Sequence, residues 1–234
     1  MTVVLLHALA ATPAMWSEVD AGPSALAPDL YRLGVGTPSL DTVADGLARL
    51  LDAAAVDRAV LAGCSLGGYV AMAFLRRRPD RVSALALLGT RAAADDEGTA
   101  ARRLGFAARV TDPVAGPALT AATTPLLLGR THRERLVGRV GAMARAVAPE
   151  DVAWAQRAIA ARAASYDVLA AFDRPAVVLV GEEDELVSPD DARAVAAALP
   201  RGRLEVVPAA GHLLPVEAPE VVTKVLAELA EEVA

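Results

Sequence analysis

Three side chains of this 234-residue sequence could act together on a carbonyl compound: Ser65, Asp184 and His212. Ser65 is the centre of Gly63-Cys64-Ser65-Leu66-Gly67, and Gly68 follows at once. The pattern G-x-S-x-G alone is weak, because glycine and serine are common in turns. Here an apolar run, Ala59 to Ala62, leads into it and a helix-forming run, Val70 to Arg76, leaves it. That context predicts a sharp strand-to-helix turn with the serine hydroxyl lifted clear of the sheet, and small residues two positions away on each side to avoid a clash. A serine hydroxyl attacks poorly unless a base takes its proton, and the base works best when a third group orients it. The sequence has three histidines, His7, His132 and His212. His212 lies in Pro208-Ala209-Ala210-Gly211-His212, directly after the last apolar strand run, where a parallel sheet presents its loops. It is the candidate base. His132, between arginines, reads as part of a solvated helix face, and His7 as a structural residue holding the loop after the first strand.

The orienting acid should also follow a strand. Gly181-Glu182-Glu183-Asp184-Glu185 follows the apolar run Ala176–Val180 and offers four acids. Asp184, in mid-loop, is the choice; Glu182, Glu183 and Glu185 read as exposed, as most charge runs are. Asp95 and Asp96, after the run Val82–Leu88, stay open as an alternative carboxylate site. Cys64 sits beside the serine, but such a turn aims only its central residue outward, so the thiol should point into the core as a small hydrophobe.

The elements that must carry these residues alternate. Val3–Leu6, Ala59–Gly63, Val82–Leu88, Ala176–Val180 and Leu204–Val207 read as strands, and Ser24–Leu30 as one more, giving about six. Helices are predicted from Leu40 to Leu51, after Ser65, from Pro189 to Leu199 and from Ala218 to Val233. Strands alternating with helices predict a mostly parallel sheet covered on both faces. Between about residues 92 and 171 the chain becomes rich in alanine and arginine, with helical periodicity and no convincing strand. This predicts a core from residues 1–91 and 172–234 with a helical cap, 92–171, inserted in it. Trp16, Tyr69 and Trp154 are candidate pocket residues, as are Phe106 and Met143, each with a core role as the competing reading.

Composition narrows the classes of function. A net charge of −6 gives no electrostatic reason for a nucleic-acid or anionic-membrane partner. The apolar runs are short and interrupted, well below the roughly 18–20 residues of a membrane span. The first residues lack the basic start of a signal peptide, and the single cysteine fits a reducing compartment, so a soluble cytoplasmic protein is expected. Lys224 is the only lysine, which leaves little room for Schiff-base chemistry.

Taken together, Val3-Val4-Leu5-Leu6-His7, the Gly63–Gly68 turn, the Gly181…Asp184…Pro189 loop, and Ala210-Gly211-His212 with Glu217-Ala218-Pro219-Glu220 after it resemble an α/β-hydrolase. The likeness is to the compact branch that includes 3-oxoadipate enol-lactonases and pimeloyl-carrier methyl ester esterases. It covers essentially the whole chain and begins at that family's third strand, so the usual N-terminal hairpin is expected to be absent. The order Ser…Asp…His matches the family. The resemblance implies Ser65 as nucleophile, His212 as base and Asp184 as orienting acid, with backbone N–H groups of Leu66 and Leu9 forming an oxyanion hole. Ala8 stands where the family usually has glycine, which puts the Leu9 assignment in question.

The resemblance further implies a small carboxylic ester or lactone substrate, an acyl-enzyme, no cofactor and no metal, in a monomer or small homo-oligomer. A serine at the elbow argues against dehalogenase and epoxide-hydrolase chemistry, and the lack of a lysine near His212 against hydroxynitrile lyases. The same residues would serve a thioesterase, a C–C hydrolase or an acyl-transfer enzyme. A non-catalytic small-molecule receptor is the alternative of a different class.

Overall fold

The computed structural model describes residues 1–233. Five strands, β1 (Thr2–Leu6), β2 (Ala59–Cys64), β3 (Val82–Leu88), β4 (Ala176–Gly181) and β5 (Gly202–Val207), form one sheet in that spatial order. All four pairings are parallel. The helices are α1 (Leu40–Ala53), α2 (Leu66–Arg77), α3 (Glu97–Arg109), α4 (Ala115–Thr123), α5 (Arg130–Arg145), α6 (Pro149–Ala160), α7 (Tyr166–Ala170), α8 (Pro189–Ala198), α9 (Leu214–Glu217) and α10 (Pro219–Glu232).

The sixth expected strand is corrected to a single bridge. Within Ser24–Leu30 only Leu26 pairs with the β1 edge: its N–H donates to Val3 O at 2.9 Å and its carbonyl accepts from Leu5 N at 2.8 Å. Pro23 and Pro28 bracket it, and a proline has no N–H to extend a ladder.

Alternation along the strands sorts side chains onto two cores. Val4, Leu6, Leu61, Leu85, Leu87 and Val178 face α1, α2 and α8. Val3, Leu5, Val60, Ala62, Ala84 and Leu88 face Trp16 and α10. Both faces are covered, so β2, β3 and β4 are buried along their whole length and read as continuous apolar runs.

Between β3 and β4 the described residues form helices α3 to α7 and no strand. Part of that segment belongs to the sheet's own cores: Leu136 and Val140 of α5 join the α10 side, and Ala155, Ala158 and Ile159 of α6 join the α2 side. Ala107, Val110, Val147 and Val152 make a third, smaller cluster within the segment. Among the described residues no helix is long and apolar enough to cross a membrane.

Helix α1 starts at a Ser39 cap, whose hydroxyl accepts from Asp41 N at 3.1 Å. Its Gly46 is buried because the loop at Leu33 passes directly over it, and a Cβ there would lie 2.9 Å from Leu33 Cα and closer still to the Leu33 carbonyl. A glycine-to-alanine change inside a helix ordinarily stabilises by up to about 1 kcal/mol. At position 46 the obstacle is backbone, which gives way only by moving the loop. Gly46→Ala should therefore lower stability by about 1–3 kcal/mol, read as a fall in the urea midpoint; a rise would show that the loop yields freely.

Candidate active site

In a parallel sheet the loops after the strands share one edge, and each loop here supplies part of one site. After β2, Ser65 takes φ 51° and ψ −109°, a strained conformation for any residue but glycine. The sheet and the helix hold it there. Ser65 N donates to Leu88 O at 2.8 Å, and Ser65 O accepts from Gly68 N, Tyr69 N and the Thr90 hydroxyl. A Cβ at Gly63 would fall on the Gly67 carbonyl, and one at Gly67 on the Leu6 carbonyl, so the turn closes only without side chains at both. Serine at a helix start normally caps the helix with its hydroxyl. Ser65 makes no such bond, which leaves Oγ available.

After β4 and β5 the loops run side by side, joined by hydrogen bonds from Glu182 N to Val207 O and from Glu183 N to Ala210 O. They bring His212 Nδ1 to 2.8 Å from Asp184 Oδ2, with both side chains buried. The Asp184 carboxylate divides its work. Oδ1 accepts from Leu186 N at 2.7 Å and Val187 N at 2.9 Å, which fixes the group, and Oδ2 is left for the imidazole. An ionised carboxylate only accepts, so Nδ1 carries the proton and Nε2 presents a lone pair. Ser65 and His212 line one cavity of about 290 Å³, together with the apolar side chains of Phe106, Leu127, Val152 and Ile159.

The other predicted residues divide. Leu9 and Tyr69 line this cavity. The N–H groups on either side of Leu9 are occupied: Ala8 N donates to Met15 Sδ and Ala10 N to Tyr31 Oη. Leu66 N is the first N–H of α2. Trp16 and Trp154 are corrected, since neither reaches the cavity. Trp16 is packed in the core against the sheet, and Trp154 packs against the α2-side core with its indole donating to Gly36 O at 3.0 Å. Phe106 lines the cavity, whereas Met143 packs toward the α10 core.

Asp95, the alternative carboxylate, is committed elsewhere. It is buried between Arg103 at 2.5 Å and Arg162 at 2.8 Å. Burial would raise its carboxyl, but the two guanidinium groups outweigh that and hold it below the usual range. Arg162 in turn stacks over the Tyr69 ring. Asp96 caps α3 through Thr99 N. His7 is fully buried and bridges two loops: Nδ1 faces Ala8 O at 2.9 Å, and Nε2 accepts from Leu30 N at 2.9 Å. Burial lowers its pKa, which suits a neutral structural ring. The Cys64 thiol is fully buried, with Sγ 3.6 Å from His212 O, and burial pushes its pKa up.

Two contributors have no role assigned from the sequence. Gly89 directly follows β3 at φ 52°, and a Cβ there would lie 3.1 Å from His212 Nδ1 and 3.4 Å from Asp184 Oδ2. Its only sequence signal is a glycine closing a strand. Glu217 is buried and accepts backbone N–H bonds from Gly129, Gly211 and Leu213. Among the described residues no group of three or more His, Cys, Asp or Glu side chains is placed to hold a metal ion.

A covered parallel sheet with a strained serine between strand and helix, and a histidine–carboxylate pair on the same sheet edge, define a class. The chain belongs to the alpha/beta hydrolase fold family, which it matches over residues 2–219. More particular likenesses follow. A pimeloyl-[acyl-carrier protein] methyl ester esterase of Aromatoleum aromaticum is 37% identical over 92 residues, which is 38% of this chain and 36% of that protein. That match therefore spans about a third of the relative's length. A thermophilic esterase from Thermogutta terrifontis, solved with malate bound, is 32% identical, covers 100% of this chain and 90% of its own, and superposes with a TM-score of 0.92. The enol-lactonase from Burkholderia xenovorans shares the fold at 23% identity, with a TM-score of 0.86 over 99% of this chain and 91% of its own.

Gly89→Ala places a methyl against the histidine–carboxylate pair in a conformation that disfavours side chains. The pair must give by a few tenths of an ångström, and since a displacement near 1 Å costs about 10²-fold, kcat on an ester substrate should fall by about three- to tenfold while circular dichroism shows the fold retained. Wild-type kcat in a folded Gly89→Ala variant would mean that the pair tolerates the intrusion.

Proposed function

We propose that this protein is a serine hydrolase of small carboxylic esters or lactones, working through an acyl-enzyme. The observation that carries the reading is the buried His212–Asp184 hydrogen bond of 2.8 Å facing a cavity that Ser65 also lines. In this mechanism Ser65 Oγ attacks the carbonyl carbon while its proton passes to His212 Nε2. Asp184, accepting from Nδ1–H, holds the ring in the required tautomer and stabilises the imidazolium. The negative oxygen of the tetrahedral intermediate is met by the N–H groups of Leu66 and Leu9, donors whose bonds strengthen only as that charge forms. The leaving alkoxide takes the proton from Nε2 and departs, with the acyl group left on Ser65. Water then attacks the acyl carbon, giving its proton to Nε2, and the acid leaves as Ser65 recovers its hydrogen.

The cavity, about 290 Å³, is at the lower end of the volumes usual for small-molecule sites. Its lining is largely apolar and Arg91, Arg103 and Gln156 supply polar groups to it, which suits a compact acyl group. The 32% identity to an esterase over the full chain supports ester hydrolysis as the reaction.

Hydrolysis of p-nitrophenyl acetate and of simple lactones tests the proposal. The wild type should turn over, and Ser65→Ala and His212→Ala should each lose at least about 10³-fold in kcat. Asp184→Asn should lose about 10²–10⁴-fold with little change in KM, since it disturbs the base and not the binding of substrate. A wild type without turnover, or variants that keep its rate, would overturn the reading.

A further inference from the structure

The first turn of α5, a helix of 16 residues, lies directly against the two loops that carry Asp184 and His212. Its cap residue, Gly129, has no side chain to satisfy the exposed N–H groups at the helix start. Two carboxylates, Glu183 of the loop after β4 and Glu217 at the end of α9, do so instead. Glu217 Oε2 accepts from Gly129 N at 2.8 Å, and Glu183 accepts from Thr131 N and the Thr131 hydroxyl, each at 2.8 Å. The same Glu217 Oε2 accepts from Gly211 N at 3.0 Å, and Oε1 from Leu213 N at 3.1 Å. Gly211 and Leu213 are the residues on either side of His212. One buried carboxylate thus grips the backbone before and after the candidate base and fastens it to α5. The approach is close enough that a Cβ at Gly211 would fall on Gly129 N.

We propose that Glu217, together with Glu183 at the same helix start, is a positioning residue for His212. It sets where the imidazole sits, and through α5 it ties the base's loop to the loop of the orienting acid. The inference rests on the reading of His212 as base and Asp184 as its partner. A side chain that only filled space could be apolar. Glu217 is a carboxylate with three N–H donors converging on it, and among the described residues it forms no ion pair with arginine or lysine. Burial raises its carboxyl, while the three N–H groups and nearby His132 act the other way. Glu183 is in contact with the same helix start, held below the usual carboxylate range chiefly by the Thr131 backbone N–H. Arg133 closes the junction by donating to Leu128 O and to Glu185. The titratable groups around His212 are then Asp184, Cys64 and Glu217.

Glu217→Gln keeps the volume but turns one terminal atom into an NH₂, which must face either Leu213 N–H or the Gly129 and Gly211 pair, donor against donor. The folded variant should show kcat for p-nitrophenyl acetate reduced by about 10- to 100-fold, with KM within about threefold of the wild type. The wild type is expected to show a downfield proton resonance for the His212 Nδ1–H bonded to Asp184, and in the variant it should be lost or broadened. Thr131→Pro is the exposed counterpart: in the first turn of a helix the backbone N–H has no intrahelical partner to lose, and proline there removes both donors that hold Glu183. It should lower kcat by about two- to tenfold in the same pattern. A Glu217→Gln protein with a lower melting temperature but wild-type kcat and resonance would overturn the proposal, leaving Glu217 a fold residue only. If Glu217→Gln does not fold, unchanged kcat and resonance in Thr131→Pro overturn it equally. If the wild type hydrolyses no ester, the resonance still decides. Its loss in the variants supports the clamp while the hydrolase reading falls, and its persistence removes the clamp.

Discussion

The site depends on one backbone conformation, that of Ser65. A non-glycine residue at φ 51° and ψ −109° costs about 1–3 kcal/mol, and it persists because its surroundings allow nothing else. Its amide is anchored to β3, its carbonyl accepts from Gly68, Tyr69 and Thr90, and the glycines at 63 and 67 let β2, α2 and β1 meet closely. Relaxing Ser65 would mean separating α2 from the sheet, and α2 is buried from Leu66 to Leu75. The hydrophobic core and these backbone bonds therefore pin the serine, and its hydroxyl makes no helix-capping bond of its own. The remaining loops only have to arrive at the same sheet edge, which a parallel sheet ensures.

Those loops solve a second problem, the management of buried acid. Asp184, Glu217 and Asp95 are all removed from water, and each is satisfied by a different device. Asp184 takes two loop amides and an imidazole, Glu217 takes three amides, and Asp95 takes two guanidinium groups. An unsatisfied buried carboxylate would be costly enough to neutralise or to move. The arrangement thus converts each acid into a constraint on local backbone or on a neighbouring arginine. The helices between β3 and β4 take part in these constraints as much as the sheet does, since α5 and α6 supply partners to Glu217, Glu183 and the Asp95 network.

Much of this was legible in the sequence because the signals are local. Strand, glycine, serine, glycine and helix lie within a few residues, the Asp184 loop follows the continuous apolar run of the buried strand β4, and the His212 loop follows the shorter run of β5, a half-buried edge strand. The strand count was not, because Ser24–Leu30 has the apolar residues of a strand, and what limits it to one bridge at Leu26 is the bracketing of that residue by two prolines against a sheet edge. Trp16 and Trp154 were misplaced because aromatic residues suit a core and a pocket equally, and the choice is made by packing across the chain. Glu182, Glu183 and Glu185 looked like one run of solvated charge, and Glu217 gave no local sign of burial, for the same reason. Glu182 and Glu185 are exposed, but the partners of Glu183 at Thr131 and of Glu217 at Gly129 lie 52 and 88 residues away, a separation that no sequence window spans.

Cys64 carries a consequence of its own. It is the chain's single cysteine, sits one residue from Ser65 at the end of β2, and is sealed under the His212 carbonyl with its thiol held protonated. Alkylating reagents attack the thiolate, and here both ionisation and access require the loop to lift away from the strand. Chemical labelling of the native protein would then proceed only through such openings. The molecule contains, one residue from its candidate nucleophile, an intrinsic clock for how often that corner of the structure breathes.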